Sequence, residues 1–128
     1  MKYLLDTHVF LWLDNDPDRL SQQVTSICAN PDNTLFISLV SVWELQIKSQ
    51  LGKLRLPTSL SNMLDAQLAA NQLNLLPVAL HHIFGLSHLP SHHKDPFDRL
   101  LISQAIHEQL ILLSDDSIIR RYPVPTIW

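Results

Sequence analysis

Glycine is nearly absent, Gly52 and Gly85 being the only two in 128 residues. A P-loop or a GxGxxG turn needs several glycines close together, so Walker-type and dinucleotide-binding sites are excluded. Cysteine is rarer still: Cys28 alone can form neither an internal disulfide nor a cysteine-based zinc site, and the cytoplasm is the natural compartment. Charged residues make up only 16% of the chain and hydrophobic ones 46%, a balance that excludes disorder. The apolar runs are nevertheless too short for a membrane span, broken by Asp14 in one place and by Ser114-Asp115 in another. Asp6 and His8 interrupt the opening MKYLLDTHVFLWL, and no small-residue cleavage site follows, which argues against a signal peptide. A net charge of −3 with a pI near 6.1 argues against wrapping nucleic acid through bulk charge and leaves room only for a local basic patch. The length suits one domain over residues 1–128.

What the chain does contain is leucine, at 25 positions, and aspartate, which supplies ten of the twelve acids. Short apolar runs at Tyr3-Leu4-Leu5, Leu35-Phe36-Ile37, Leu73 to Val78 and Ile111-Leu112-Leu113 read as strands. Val124 to Trp128 adds a possible edge strand, where Pro125 is tolerated. Between them lie stretches with helical spacing: a leucine-rich turn after Asp6-Thr7, Pro17 to Ala29, a helix opening at Ser41, Ser59 to Gln72, His81 to Leu89, and Pro96 to Gln109. Strands apolar on both faces and alternating with helices predict an α/β fold, a mostly parallel sheet with helices on both sides.

In such a layer the helices run against the strands, so strand C-termini and helix N-termini share one edge. Asp6 ends the first strand, Glu44 and Asp98 stand near helix starts, and Asp116 follows the fourth strand, so all four point to that edge. Carboxylates gathered in one cleft repel one another unless a hard divalent cation such as Mg²⁺ or Mn²⁺ lies between them. Singly, each has a plainer role. Ser41-x-x-Glu44 has the form of a capping box, and Glu44 can pair with Lys48 one turn on. Asp95-Pro96-Phe97-Asp98 reads as N-cap, N1 proline and acidic N3, with Asp95 the cap. Thr7 can cap the helix after Asp6, and Asp115 competes with Asp116 for the fourth position. Their convergence on one edge is what favours a metal site.

Five of the seven histidines fall between His81 and His93, in a spacing that matches no HExxH-type zinc arrangement. His93, two residues before Asp95, is placed to reach the cleft as a substrate contact. Lys48, Lys94, Arg99 and Arg120 stand near the acidic edge as candidate phosphate contacts. The tryptophans read as core or interface residues, Trp43 on the apolar stripe of its helix.

The strings Leu4-Leu5-Asp6-Thr7-His8, Ser41-Val42-Trp43-Glu44-Leu45, His93-Lys94-Asp95-Pro96-Phe97-Asp98-Arg99-Leu100-Leu101-Ile102 and Leu113-Ser114-Asp115-Asp116 resemble, in order and spacing, PIN-domain proteins, above all toxins of the VapC type. The resemblance implies a three-layer α/β/α sandwich and a Mg²⁺- or Mn²⁺-dependent endoribonuclease whose metal-binding acids are Asp6, Glu44, Asp98 and Asp116. It implies as well an RNA substrate, a small antitoxin partner and a homodimer. The doubled Asp115-Asp116, where one acid is expected, is a departure. Two other classes fit the coarse pattern. One is a non-catalytic binding module whose acids are caps; the other is a receiver-like phospho-acceptor domain, which needs an acid after the third strand where this chain has Leu76-Pro77-Val78.

Overall fold

In a computed structural model covering residues 1–128, a five-stranded sheet is flanked by six α-helices. The strands are β1 (Lys2–Leu5), β2 (Thr34–Ser38), β3 (Asn74–Leu76), β4 (Ile111–Leu113) and β5 (Thr126–Ile127). They lie in the order β3-β2-β1-β4-β5, and every pairing is parallel. The helices are α1 (Thr7–Asn15), α2 (Gln22–Ala29), α3 (Leu39–Gln50), α4 (Leu60–Ala70), α5 (Leu80–Phe84) and α6 (Pro96–Glu108), with 3-10 turns at Pro17–Arg19, Gly85–His88 and Ile119–Arg121. None of these helices is long and apolar enough to cross a membrane.

Strand side chains alternate between two apolar layers, as a period of two requires. Tyr3, Leu5, Leu35, Ile37 and Leu113 join Phe10 of α1, Val24 of α2 and Met63 of α4 on one face. Leu4 and Leu112 join Leu101, Ile102 and Ala105 of α6 on the other. The three-layer expectation therefore holds, and the physical cause is the continuous leucine runs, which offer an apolar residue to both sides at once.

Two expectations need correction. The helix after β2 opens two residues earlier than Ser41: it begins at Leu39 and is capped by Ser38, whose hydroxyl accepts the Val40 N–H at 3.0 Å. Glu44 consequently stands in the second turn and is not part of a capping box. Trp43 is not on the core stripe but 58% exposed, with its ring edge-on to Phe97 at 5.1 Å between centroids. The face of α3 that turns inward carries Val40, Ser41, Glu44 and Leu45 rather than the expected Trp43-Ile47-Leu51 stripe. The stretch Pro17 to Ala29 also divides, since Ser21 caps a separate α2 through the Val24 N–H.

The chain reverses direction across the sheet beside β1: its neighbour β2 leads outward to β3, and β4 on the other side leads to β5. Ligands of open parallel sheets bind at such a switch point, in the crevice outside the strand C-termini. A receiver-like domain is built on the order 2-1-3-4-5 instead, so this topology is not that of a phospho-acceptor.

Candidate active site

Asp6 follows β1 directly and, in place of the expected Thr7, caps α1, its Oδ1 accepting the Thr7 N–H at 2.7 Å. The Asp6 N–H donates to the Leu113 carbonyl at 3.0 Å, which extends the β1–β4 pairing and sets Asp6 beside Ser114. There the Ser114 hydroxyl donates to Asp6 Oδ2 at 2.7 Å and accepts the Asp116 N–H at 3.1 Å. Ser114 thus ties the acid after β1 to the acid after β4. Sequence reasoning passed over it, although a hydroxyl directly after a buried strand at the switch point was the available signal.

Glu44, 3% exposed, reaches in from α3. Thr7 Oγ1 lies 3.0 Å from Glu44 Oε1 and 2.8 Å from Ser41 Oγ, while Lys48 Nζ meets Glu44 Oε2 at 2.6 Å. The carboxylate beside the Lys48 ammonium holds that amine above its ordinary value. Thr7 and Lys48 therefore position and neutralise Glu44, and Ser41 serves this network rather than a helix start.

Asp95 caps α6, its Oδ1 accepting from the N–H groups of Phe97 at 2.8 Å and Asp98 at 3.3 Å. Asp98, at the third position of α6, faces His93: Asp98 Oδ2 lies 2.9 Å from His93 Nε2, and Asp116 Oδ2 lies 3.7 Å from the same nitrogen. Asp116 also receives the Ile118 N–H on Oδ1 at 2.8 Å. Of the doubled acids it is Asp116 that joins the group, whereas Asp115 is exposed.

Burial pushes the Asp98 carboxyl up to about 8, aided by the negative charges of Asp6, Asp95, Glu44 and Asp116. Asp6 is raised as well, chiefly by burial, against the opposing hydrogen bond from Ser114. Carboxylates perturbed in this way by burial and like charge, gathered at one sheet edge, make a candidate functional site. One donor atom from each of His93, Asp98 and Asp116 lies within 4.8 Å of the other two, close enough to share one small cation. Oxygen donors with a single nitrogen suit Mg²⁺ or Mn²⁺ rather than a thiolate-seeking metal.

The basic residues divide. Lys48 reaches the site through Glu44. Arg99, expected at a substrate phosphate, spends its guanidinium on the Pro90 and Leu86 carbonyls at 2.8 and 3.2 Å and on Tyr122 Oη at 3.2 Å. Lys94 and Arg120 are exposed. Of the other histidines, His81 and His82 form a separate group with Glu108, their Nε2 atoms at 3.0 Å and 2.8 Å from its Oε2.

Comparison with known proteins bears on the family and the fold. The family model described as PIN domain matches residues 3–125. Among solved structures, one of VapBC2 from Rickettsia felis bound to a DNA fragment from their promoter is similar at a TM-score of 0.76 and 22% identity, covering 99% of this chain and 98% of that one. One of VapBC-1 from nontypeable Haemophilus influenzae gives 0.64 and 17%, covering 99% and 97%. A toxin-antitoxin complex from Klebsiella pneumoniae gives 0.62 and 15%, covering 98% and 96%. No curated protein sequence matches significantly.

Proposed function

We propose that this chain, which belongs to the PIN domain family, is a metal-dependent endoribonuclease cutting single-stranded RNA, the toxin of a toxin-antitoxin pair. The observation that carries the reading is the convergence of Asp6, Glu44, Asp98 and Asp116 at the switch point, with Asp98 held near 8 by burial and then by its acidic neighbours. Asp6, Asp98 and Asp116 would hold a Mg²⁺ or Mn²⁺ ion, with Glu44 beside them. When bound, that ion would supply charge neutralisation at the phosphate and make water acidic enough to attack it.

The chain's own residues do the rest. Ser114 orients Asp6 through its hydroxyl and fixes Asp116 through the backbone, so the two strand-end acids keep their separation. Lys48 offsets the charge on Glu44 and, at 40% side-chain exposure, presents its ammonium at the rim as a phosphate contact. Hydrolysis that leaves the ribose 2′-OH unused yields 5′-phosphate and 3′-hydroxyl ends.

An antitoxin would silence such a site most simply by placing an arginine fork among the carboxylates. The neighbours whose structures are VapBC and toxin-antitoxin assemblies support a partner of that kind. A homodimer is supported by Leu80, Ile83 and Phe84, exposed at 64, 46 and 66% along α5, and sedimentation of the purified protein checks it. A toxin that cuts RNA would act in the cytoplasm.

The deciding experiment incubates purified protein with single-stranded RNA in Mg²⁺ or Mn²⁺, with and without EDTA. Cleavage that EDTA stops and that Asp6→Asn abolishes supports the reading. Inert protein in both metals, or cleavage indifferent to EDTA, refutes it and leaves the non-catalytic binding module.

A further inference from the structure

His93 was expected to meet substrate; its geometry suggests another role. Its Nε2 stands 2.9 Å from Asp98 Oδ2 and 3.7 Å from Asp116 Oδ2. An octahedral ion with bonds of ~2.1 Å sets neighbouring donors about 3 Å apart and opposite ones about 4.2 Å apart. The imidazole therefore stands at the distances from both carboxylates that a third donor to the same ion would have.

The ring is also held in place by construction. The His93 backbone N–H donates to Tyr122 Oη at 2.7 Å, and Tyr122 is 4% exposed. Arg99 donates to the same phenol oxygen and to the Leu86 and Pro90 carbonyls, so one guanidinium pins both the loop that carries His93 and the phenol that anchors it. Arg99, one residue beyond Asp98, is on this evidence a positioning residue for His93.

We propose that His93 Nε2 is a ligand to the divalent cation held by Asp98 and Asp116, making the centre a mixed nitrogen-oxygen site that prefers Mn²⁺ to Mg²⁺. The inference rests on the nuclease reading above. Imidazole binds Mn²⁺ better than Mg²⁺, whose preference is for oxygen and its own water shell. Without the ion, His93 Nδ1 accepts a long hydrogen bond of 3.3 Å from the Asp95 N–H, and Nε2 bears the proton facing Asp98. Ligation uses the other tautomer and gives up that long contact together with the Nε2 proton shared with Asp98, whose carboxylate then faces the ion instead.

The second histidine-carboxylate group lacks this freedom. His82, 1% exposed, accepts the Ala79 N–H on Nδ1 at 2.9 Å, with Gln104 Nε2 at 3.5 Å from the same nitrogen. Its Nε2 must therefore carry a proton toward Glu108 and has no lone pair for a metal.

The probe is Mn²⁺ alone, added to the full-length protein without RNA. Pulsed electron paramagnetic resonance of the wild type should show ¹⁴N modulation from a coordinated imidazole, and His93→Gln, folded by circular dichroism, should lose it. Competition titrations should give wild-type Mn²⁺ affinity at least ten-fold above that for Mg²⁺. The variant should lose about ten-fold for Mn²⁺ and less than about three-fold for Mg²⁺. Bound Mn²⁺ without nitrogen modulation in the wild type overturns the proposal, as does modulation that survives in His93→Gln. Either result, in a protein that still cleaves RNA, leaves the nuclease reading intact. A wild type that binds neither ion overturns both.

Discussion

Replacing Asp98 by asparagine should stabilise the metal-free protein at neutral pH while destroying its site. Asp98 titrates near 8 instead of 3.8, first because burial disfavours its charge and then because Asp6, Asp95, Glu44 and Asp116 repel it. Below about pH 4 the folded and unfolded chains both hold the proton, and no penalty exists. Between 4 and 8 only the folded chain holds it, so wild-type stability falls as pH rises; above 8 the loss is complete. At about 1.4 kcal/mol per unit, the ceiling is roughly 4 kcal/mol at pH 7 and roughly 6 above pH 9. Two effects reduce it. The side chains of Asp98 and Asp116 keep 15% and 31% exposure, so solvent screening brings the gain to about 2 kcal/mol. Above pH 8, where the folded carboxyl is ionised, losing a charge that favours the N-terminus of α6 removes a further ~0.3–1 kcal/mol. A net 1–2 kcal/mol corresponds to a melting temperature higher by about 3–8 °C in a domain of this size. Thermal melts of both proteins in EDTA at pH 4, 7 and 9 test this: the curves should coincide at pH 4 and separate increasingly above it. An Asp98→Asn protein that melts below the wild type at every pH would show that Asp98 is an N3 acid without electrostatic strain.

The other predictions follow from neighbouring contacts. Asp6→Asn and Asp98→Asn should each abolish cleavage in folded protein, as RNA gels and circular dichroism together will show. Wild type in Mn²⁺ at a hundred times its dissociation constant should gain about 2.7 kcal/mol in denaturant melts, and Asp98→Asn little or nothing. Because Asp95 Oδ1 takes two N–H groups of α6, Asp95→Ala should cost about 1 kcal/mol in urea while Asp95→Asn stays stable and active. Gly85→Ala should cost about 1–3 kcal/mol by the same assay: the added methyl falls 2.2 Å from His107 Cε1, and that ring is fixed by its Nδ1 on the Ser103 carbonyl at 2.8 Å.

How much of this was legible in the chain can be argued residue by residue. Apolar runs such as Tyr3-Leu4-Leu5 and Ile111-Leu112-Leu113 carry a two-sided parallel sheet in their composition, because a strand exposed on one face would alternate. Asp95-Pro96-Phe97-Asp98 announces its helix start because cap, proline and N3 acid are local chemistry, settled within four residues. The convergence of Asp6, Glu44, Asp98 and Asp116 follows from one topological rule, that strand ends and helix starts share an edge.

Tertiary structure decided what depends on register or on distant partners. The two-residue difference in where α3 begins was invisible because Ser38 and Ser41 are equally good caps by type. Only the end of β2 places Ser38 as the cap, which leaves Ser41 to the Thr7–Glu44 network, while inward packing of Val40, Ser41, Glu44 and Leu45 turns Trp43 outward. Asp115 and Asp116 are indistinguishable as letters; Asp116 joins the cleft because Ser114, bonded back to Asp6 across 108 positions, holds its N–H. His93 and Arg99 were placed near the cleft by sequence, but their separate tasks arise from Tyr122, 29 residues beyond His93, which returns from the end of the chain to meet both. Local propensity acts within a few residues, whereas which hydroxyl or ring faces which carboxylate is set only when β4 lies down beside β1 and closes the switch point.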